Sequence, residues 1–416
     1  MAHTLLDFEE TGFEIEASSA LANLRHAVIG LMSEVLGPGE TRLTDLSRVL
    51  GIDNKLAWKL VRIMELRDPY SAGLYLPGPS GMRIVRQAAT AKGASAQAMR
   101  ALEEAEAELE RVQRHHAGDR RTLDVLFAGL ADQEQERHQL LSRRAAFQAS
   151  AELWGVRAAT RLMTFAVWMA DHDASRIQMA HVAGMFAVER MRRHVPWRVA
   201  QVRAENDDGG ASHVGRIRPI DPTVPVGEPA VLRSYTSPHA PALVPVDVGG
   251  GRLEFRLGPG EIGKQSRFDI VLAEYAGDAG SRYRTPTETQ LSVASRNRTP
   301  VEHLILDLVL DRELYGRVTP SASLVSELWG ERPADGQDDP EALPMFETVS
   351  RIGSGLRGLQ HARVPQYGDL MSTVCQSRGV DPKRFDVYRL EMKYPPAPTA
   401  ARIAFPLSAV AGERDG

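Results

Sequence analysis

The hydrophobic period of this chain changes once along its length, and that change limits what it can fold into. From Ala20 to about Arg203 the apolar residues recur at helical spacing. Beyond the run Glu205-Asn206-Asp207-Asp208-Gly209-Gly210 they alternate, while proline and glycine become frequent. That polar, glycine-ended run is the expected domain boundary. At 416 residues the chain exceeds the roughly 100–200 of a usual single domain, so two or three domains are expected. The pattern predicts an α+β multidomain fold: a helical N-terminal half, then a mostly antiparallel β domain with a few helices over 212–416.

Within the helical half, residues 1–19 hold five acids (Asp7, Glu9, Glu10, Glu14, Glu16) and no lysine or arginine, and a mobile lead-in is expected. Leu21, Leu24, Val28, Leu31 and Met32 mark one face of a helix over 20–36, stopped by Gly37-Pro38-Gly39. A second long helix is expected from about Ser95 to His116, with Leu102, Ala105, Leu109 and Val112 along one seam. That seam either packs within the chain or pairs two copies; its few heptads favour packing. Leu162, Phe165 and Met169, then Ile177, Val182, Met185, Phe186 and Met191, are apolar around much of a helical circumference. Buried helices are expected there, the second capped by Asp173 and closed by Pro196. The organisation read from these signals is a lead-in over 1–19, a first domain over 20–90 and a helical domain over 91–204 that either packs within the chain or pairs two copies.

In the second half, strands are expected at Val231–Tyr235, Leu253–Leu257, Phe268–Tyr275 and Leu291–Ser295. Val246-Asp247-Val248 and Arg252–Leu257, joined through Gly249-Gly250-Gly251, predict a hairpin. Leu304, Leu306, Leu308 and Leu310 alternate with His303, Ile305, Asp307, Val309 and Asp311, the period of a strand, although Thr299-Pro300-Val301-Glu302 also spells a helix start. The strand is preferred. A polar loop is expected over Glu331–Glu341, then a helix over Tyr367–Arg378 and closing strands at Asp386–Tyr394 and Thr399–Pro406.

One segment carries recognisable chemistry: Arg42-Leu43-Thr44-Asp45-Leu46-Ser47-Arg48-Val49-Leu50-Gly51-Ile52-Asp53-Asn54-Lys55-Leu56-Ala57-Trp58-Lys59-Leu60-Val61-Arg62-Ile63-Met64-Glu65. Thr44 is placed to cap a short helix whose inner face is Leu46, Val49 and Leu50. Gly51 supplies a sharp turn and Ile52 plugs the corner. Asp53 caps a second helix with Leu56, Ala57, Leu60, Val61 and Met64 turned inward. Asn54, Lys55, Trp58, Lys59 and Arg62 are left on or near the outer face. Cations and an amide at the front of a second helix are what base edges and phosphates in a major groove require.

This segment resembles the helix-turn-helix of winged-helix bacterial transcription regulators, in which a short helix ending in Leu-Gly leads through a small loop to a recognition helix. The resemblance covers about 70 residues, from Ala20 to Thr90. It departs from the family at Leu56, where a Thr or Ser usually meets a phosphate, and at the bulky Trp58. The resemblance implies a wing, for which Gly73-Leu74-Tyr75-Leu76 and Met82-Arg83-Ile84-Val85 across Pro77–Gly81 are the candidates, although Met82–Gln87 equally suits the start of a helix. It also implies that Asn54, Lys55, Trp58 and Lys59 read the groove while Thr44, Arg62, Arg83 and Arg86 hold phosphates. Charge agrees: between Arg42 and Arg100 ten Lys or Arg face four acids, a local surplus in a chain of net charge −4.

Other signals exclude more than they assign. With 43% apolar and 25% charged residues the composition is that of a globular protein, and the net charge excludes a uniformly basic coat. One cysteine, Cys375, excludes an intrachain disulfide and a Cys-rich zinc site and is expected to be a buried thiol. The acidic start reads as no secretory leader, and Arg157 and Arg161 interrupt the most apolar stretch, Leu153–Ala170, so a cytoplasmic protein without membrane spans is expected. Gly353-Ser354-Gly355-Leu356-Arg357-Gly358 spells a dinucleotide loop, but Pro365 cuts off any helix behind it. Asp171-His172-Asp173, with His181 and His194, lacks metal-ligand spacing. His303, Asp307 and Asp311 read as a polar pocket floor or a solvated sheet face, with the solvated face preferred. No catalytic residue, cofactor or metal site is assigned.

The expected function is therefore a DNA-binding transcription regulator with double-stranded DNA and a second copy of itself as partners. Its C-terminal domain would sense an unidentified small-molecule effector or mediate assembly. Two alternatives stay open: an assembly protein using the helix-turn-helix for protein contacts, and an enzyme housed in 212–416.

Overall fold

A computed structural model describes residues 12–36, 43–131, 135–203, 217–225, 227–327 and 342–409. The chain divides between Leu141 and Ser142 into two units, an N-terminal helical one and a C-terminal one of mostly antiparallel sheet. No helix among the described residues is long and apolar enough to cross a membrane.

Unit 1 is built from α1 (Gly12–Leu36), α2 (Leu43–Leu50), α3 (Asn54–Glu65), α4 (Pro69–Gly73), α5 (Pro79–Ala91), α6 (Ala96–Val112), α7 (Arg120–Leu130) and the first turns of α8 (Gln135–Trp154). The expected lead-in ends early: α1 begins at Gly12, because Ala17, Ala20 and Leu21 continue the buried face of Leu24, Val28 and Leu31. Residues 1–11 lie outside the described residues. Ser95 caps α6 by accepting from the Ala98 N–H, and a single π turn, Gln113–Ala117, follows that helix. These helices share one core that includes Leu31, Leu46, Leu60, Val85, Leu102 and Phe127. Leu102, Ala105 and Val112, the inner side of the expected seam, are buried in it, so that face packs within the unit.

Unit 2 follows as β1 (Val156–Met169), β2 (Arg176–Arg190), β3 (Arg198–Arg203), β4 (Ile217–Pro219), β5 (Leu243–Asp247), β6 (Arg252–Leu257), β7 (Phe268–Ser281), β8 (Gln290–Asn297), β9 (Val301–Asp311), α9 (Arg312–Tyr315), β10 (Ser321–Ser326), β11 (Ala342–Leu343), β12 (Ser350–Ser354), α10 (Tyr367–Ser377), β13 (Phe385–Lys393) and β14 (Thr399–Pro406). The large sheet runs β12-β13-β9-β1-β2-β7-β4, and within it only β1 and β9 pair in parallel. A second sheet runs β11-β10-β14-β8 and a third β3-β6-β5.

One face of the large sheet, with Leu162, Ile305, Val309 and Val387, packs under α10. The other face, with Leu304, Leu306, Leu308 and Leu390, packs on Leu291, Leu324 and Ile403 of the second sheet. A further cluster joins Val156, Met185 and Ile270 to Leu257 of the third sheet.

The helices expected over 162–191 are strands instead. β1 and β2 pair antiparallel from Val156↔Arg190 to Met169↔Ile177. Asp173, expected to cap a helix, accepts the N–H and hydroxyl of Ser175 and shapes the turn between the two strands. Covered on both faces, these strands read as continuous apolar runs, which periodicity alone does not separate from buried helix. Val231–Tyr235 is also not a strand: Val231 makes an isolated bridge to Leu272 and Arg233–Tyr235 is one 3-10 turn. The β5–β6 hairpin, β9 and the two closing strands form where the alternation places them. The run 205–210 and the whole polar loop at 331–341 lie outside the described residues.

Candidate nucleic-acid interface

The turn between α2 and α3 is fixed by its backbone. Gly51 takes φ +65°, the left-handed conformation that a Cβ disfavours. Its neighbour Ile52 then donates its N–H to the Ser47 carbonyl at 3.2 Å, the long-range bond of a Schellman motif, and the Ser47 hydroxyl returns a bond to the Ile52 carbonyl at 2.7 Å. Ile52 itself is buried, closing the corner. Asp53 starts α3 by accepting the Lys55 N–H at 2.8 Å. At the far end, the Arg25 guanidinium of α1 donates to the Ile63 and Met64 carbonyls at 3.2 and 2.9 Å. A cation at this end also opposes the helix dipole, so α3 is held at both termini.

With Ala57, Leu60, Val61 and Ile63 buried, the residues expected to read DNA separate into two sets. Asn54 and Lys55 are exposed, and Lys59 is half-exposed one turn beyond Lys55 on the same face. Trp58 and Arg62 are not turned to solvent as expected. The Trp58 ring meets Tyr75 edge-on at 5.1 Å, with Arg137 stacked over it at 5.6 Å. Arg62 lies 5.2 Å over the Tyr75 ring and pairs with Glu65 at 3.7 Å. Tyr75 is buried and accepts from Arg137 at 2.8 Å, so one flank of α3 is closed by aromatic packing. Leu56, the family departure, packs on the core of this unit with Gly81 of α5 beside it.

The expected wing is absent among the described residues. Met82–Val85 belongs to α5, whose N-cap is Gly78 and whose first residue is Pro79, the proline position that suits a helix start. Gly73–Leu76 forms the end of α4 and a tight turn. Arg83 is exposed on α5, whereas Arg86 is half-buried and ion-paired with Glu106 of α6. Thr44 lies inside α2, which begins at Leu43, and its side chain lies outside the described residues. The structure thus brings Asn54, Lys55 and Lys59 together at the front of α3.

Compared with protein-family models, curated proteins and solved structures, the chain matches none of them.

In unit 2 the two aspartates of β9 are neither solvated nor open, whereas His303 at its start is half-buried. Asp307 and Asp311 are fully buried. Arg389 of β13 grips Asp307 through two bonds of 2.8 and 2.7 Å, and the Tyr367 hydroxyl of α10 adds a third at 2.7 Å. The Tyr367 oxygen also lies 2.6 Å from Thr164 of β1. Burial pushes the Asp307 carboxyl and the Tyr367 hydroxyl upward, while Arg389 pulls both back. Every member is buried and partnered, so the group ties α10 to three strands and leaves no access for a substrate. Asp311 caps α9 through the Glu313 N–H and pairs with Arg384 at 2.5 Å. Cys375 is buried on α10, and burial raises its thiol to about 11. Among the described residues no group of three metal-ligating side chains comes together.

Proposed function

We propose that unit 1 binds double-stranded DNA through the N-terminal half of α3, and that the chain is a homodimeric transcription regulator. The observation that carries this reading is the pair Lys55, exposed, and Lys59, half-exposed one turn on, beside the exposed Asn54, on a helix fixed at both ends. A rigid helix front lets phosphate contacts set a register, and an exposed amide beside them suits an adenine edge. In this reading Asn54, Lys55 and Lys59 enter the major groove and Arg83 reaches a phosphate. Trp58, Arg62 and Arg86 hold the module together.

The test is a fluorescence-anisotropy titration of the full chain against random-sequence duplex DNA at several salt concentrations, beside Lys55→Ala/Lys59→Ala. Affinity should fall steeply with salt, and the variant should lose about two units of the log–log salt slope. Trp58→Phe should leave affinity nearly unchanged. No binding at low salt, or a double variant that binds like wild type, would sink the DNA reading. One observation favours a second reading: Ile84, beside Arg83 on α5, is 43% exposed. A protein partner docked on that face would bind with little response to salt.

A further inference from the structure

Unit 2 holds a cleft of about 590 Å³ that the DNA reading does not use. Its size lies within the range of small-ligand sites. The large sheet floors it, with Arg161 on β1, Ala183 and Met185 on β2 and Leu272 on β7. Direct pairing places them on one face: Arg161 lies opposite Met185, and Ala183 opposite Leu272. β3 and β6 form one wall, and Arg296 to Pro300, at the end of β8, forms the other. The cleft therefore opens where the second and third sheets leave the large sheet uncovered between them.

Its charges are not balanced. Glu254 pairs with both Arg198 and Arg256 at 2.8 Å. Glu327 pairs with both Arg296 and Arg298 at 3.2 Å. Each wall thus shares one carboxylate between two guanidinium groups. Arg161, on the floor, has no carboxylate within 4.0 Å among the described residues. It donates instead to the Ser295 hydroxyl at 3.1 Å and to the sulfurs of Met163 and Met185 at 3.5 and 3.6 Å. Thioether sulfurs are weak acceptors and leave the charge largely unanswered. Burial, with Arg298 adding repulsion and the more distant Glu327 opposing both, holds the Arg161 pKa down to about 10, so the group is still charged at neutral pH. Beside it, Met185, Trp197 and Val199 supply an apolar and aromatic surface.

We propose that this cleft binds a small organic anion, its charged group on Arg161 and its apolar body against Met185, Trp197 and Val199. A guanidinium with no carboxylate in direct contact, at the base of a walled cleft, presents a planar fork of donors to a carboxylate, sulfonate or phosphate. The remaining wall arginines raise the local concentration of anions, and the apolar lining selects a ligand with a body over a bare ion. The inference does not depend on what α3 binds.

The experiment titrates the full chain with anilinonaphthalene sulfonate, an anion on an aromatic body, and reads dye fluorescence and calorimetric heat. One equivalent should bind, and inorganic pyrophosphate should compete. Arg161→Met should weaken the dye about tenfold or more, while Arg161→Lys should recover part of the loss. Val199→Glu, which places a negative charge on the wall, should abolish binding, and it carries the test if Arg161→Met does not melt cooperatively. Four results would overturn the proposal. Wild type does not bind the dye; folded Arg161→Met and Val199→Glu bind it like wild type; or neutral Nile red binds as tightly and is equally indifferent to Arg161. Displacement of the dye by duplex DNA from the Lys55→Ala/Lys59→Ala chain would also overturn it, by making the cleft a nucleic-acid surface.

Discussion

Asp307 lies fully buried in a central strand, where an ionised carboxylate persists only when its charge is answered. Arg389 answers it with a two-bond fork, and Tyr367 takes a remaining lone pair. Asp307→Ala strands the Arg389 charge in the core and should cost about 3–5 kcal/mol in urea unfolding. Asp307→Leu/Arg389→Met removes both charges and should recover most of that loss; a double variant as unstable as the single one would contradict this account. Gly51 sets a smaller constraint. Gly51→Ala forces a Cβ into the left-handed conformation at φ +65° and should cost about 1 kcal/mol, read as a lower melting temperature of unit 1 signals. The alternation of β9 revealed that Asp307 and His303 share a face, but not that α10 covers it, since nothing local encodes a partner from the far end of the chain. Trp58 and Arg62 pose the same difficulty. Helical spacing turns them outward, and only Tyr75, delivered by another element, turns that flank into packing.

At the scale of elements, β6, β7, β8, β13 and β14 were legible because turn residues bound short alternating runs. β1 and β2 were not, because a strand buried on both faces loses its alternation and resembles an apolar helix. The β-branched and aromatic content of Thr160, Thr164, Phe165, Val167 and Trp168 was the one signal favouring strand. The wing failed for a different reason. Pro77, Gly78 and Pro79 suit a hairpin tip, but the same residues place glycine at an N-cap and proline at the first helical position. Arg161 was visible only as an interruption of an apolar stretch; its role needs Ser295 and two methionines from paired strands. The turn between α2 and α3 was readable because it is local, yet the far end of α3 is held by Arg25 of α1. Arg25→Met removes the donors to Ile63 and Met64 and should lower the stability of unit 1 by about 1 kcal/mol. Hydrogen exchange should report it as faster opening at the C-terminal end of α3.

For the whole molecule, pH sets the balance through groups that only the fold brings together. Burial lowers His303 from its ordinary 6.5 to about 4, with Arg363, Lys393 and His361 adding repulsion and Glu391 opposing them. Between those values the unfolded chain binds the proton and the folded chain does not, so stability falls as pH drops from about 6.5 to 4. His303→Gln should flatten that part of a urea-midpoint profile and leave the region above pH 7 unchanged. Glu189 acts lower on the scale. Burial alone would raise it, but hydrogen bonds and ion pairs with Arg267 and Arg157 outweigh burial and hold it below its ordinary value. Its contribution is present above the unfolded carboxylate range and is lost as pH falls through the depressed folded value.

The parallel pair at the centre of the large sheet has a further consequence for how the chain is made. β1 leaves the ribosome with β2 and can form a hairpin at once, but its other edge belongs to β9. Every strand from β2 to β8 is synthesised before that edge can be filled. During that interval an unpaired edge lined by Met163, Phe165 and Val167 is open to any other nascent chain. Unit 1 is built of helices, whose backbone bonds close within each element, so it has no strand edge to leave open in this way. Unit 2 therefore carries the chain's demand for chaperones, and chains released before Val301 should aggregate while unit 1 signals stay native.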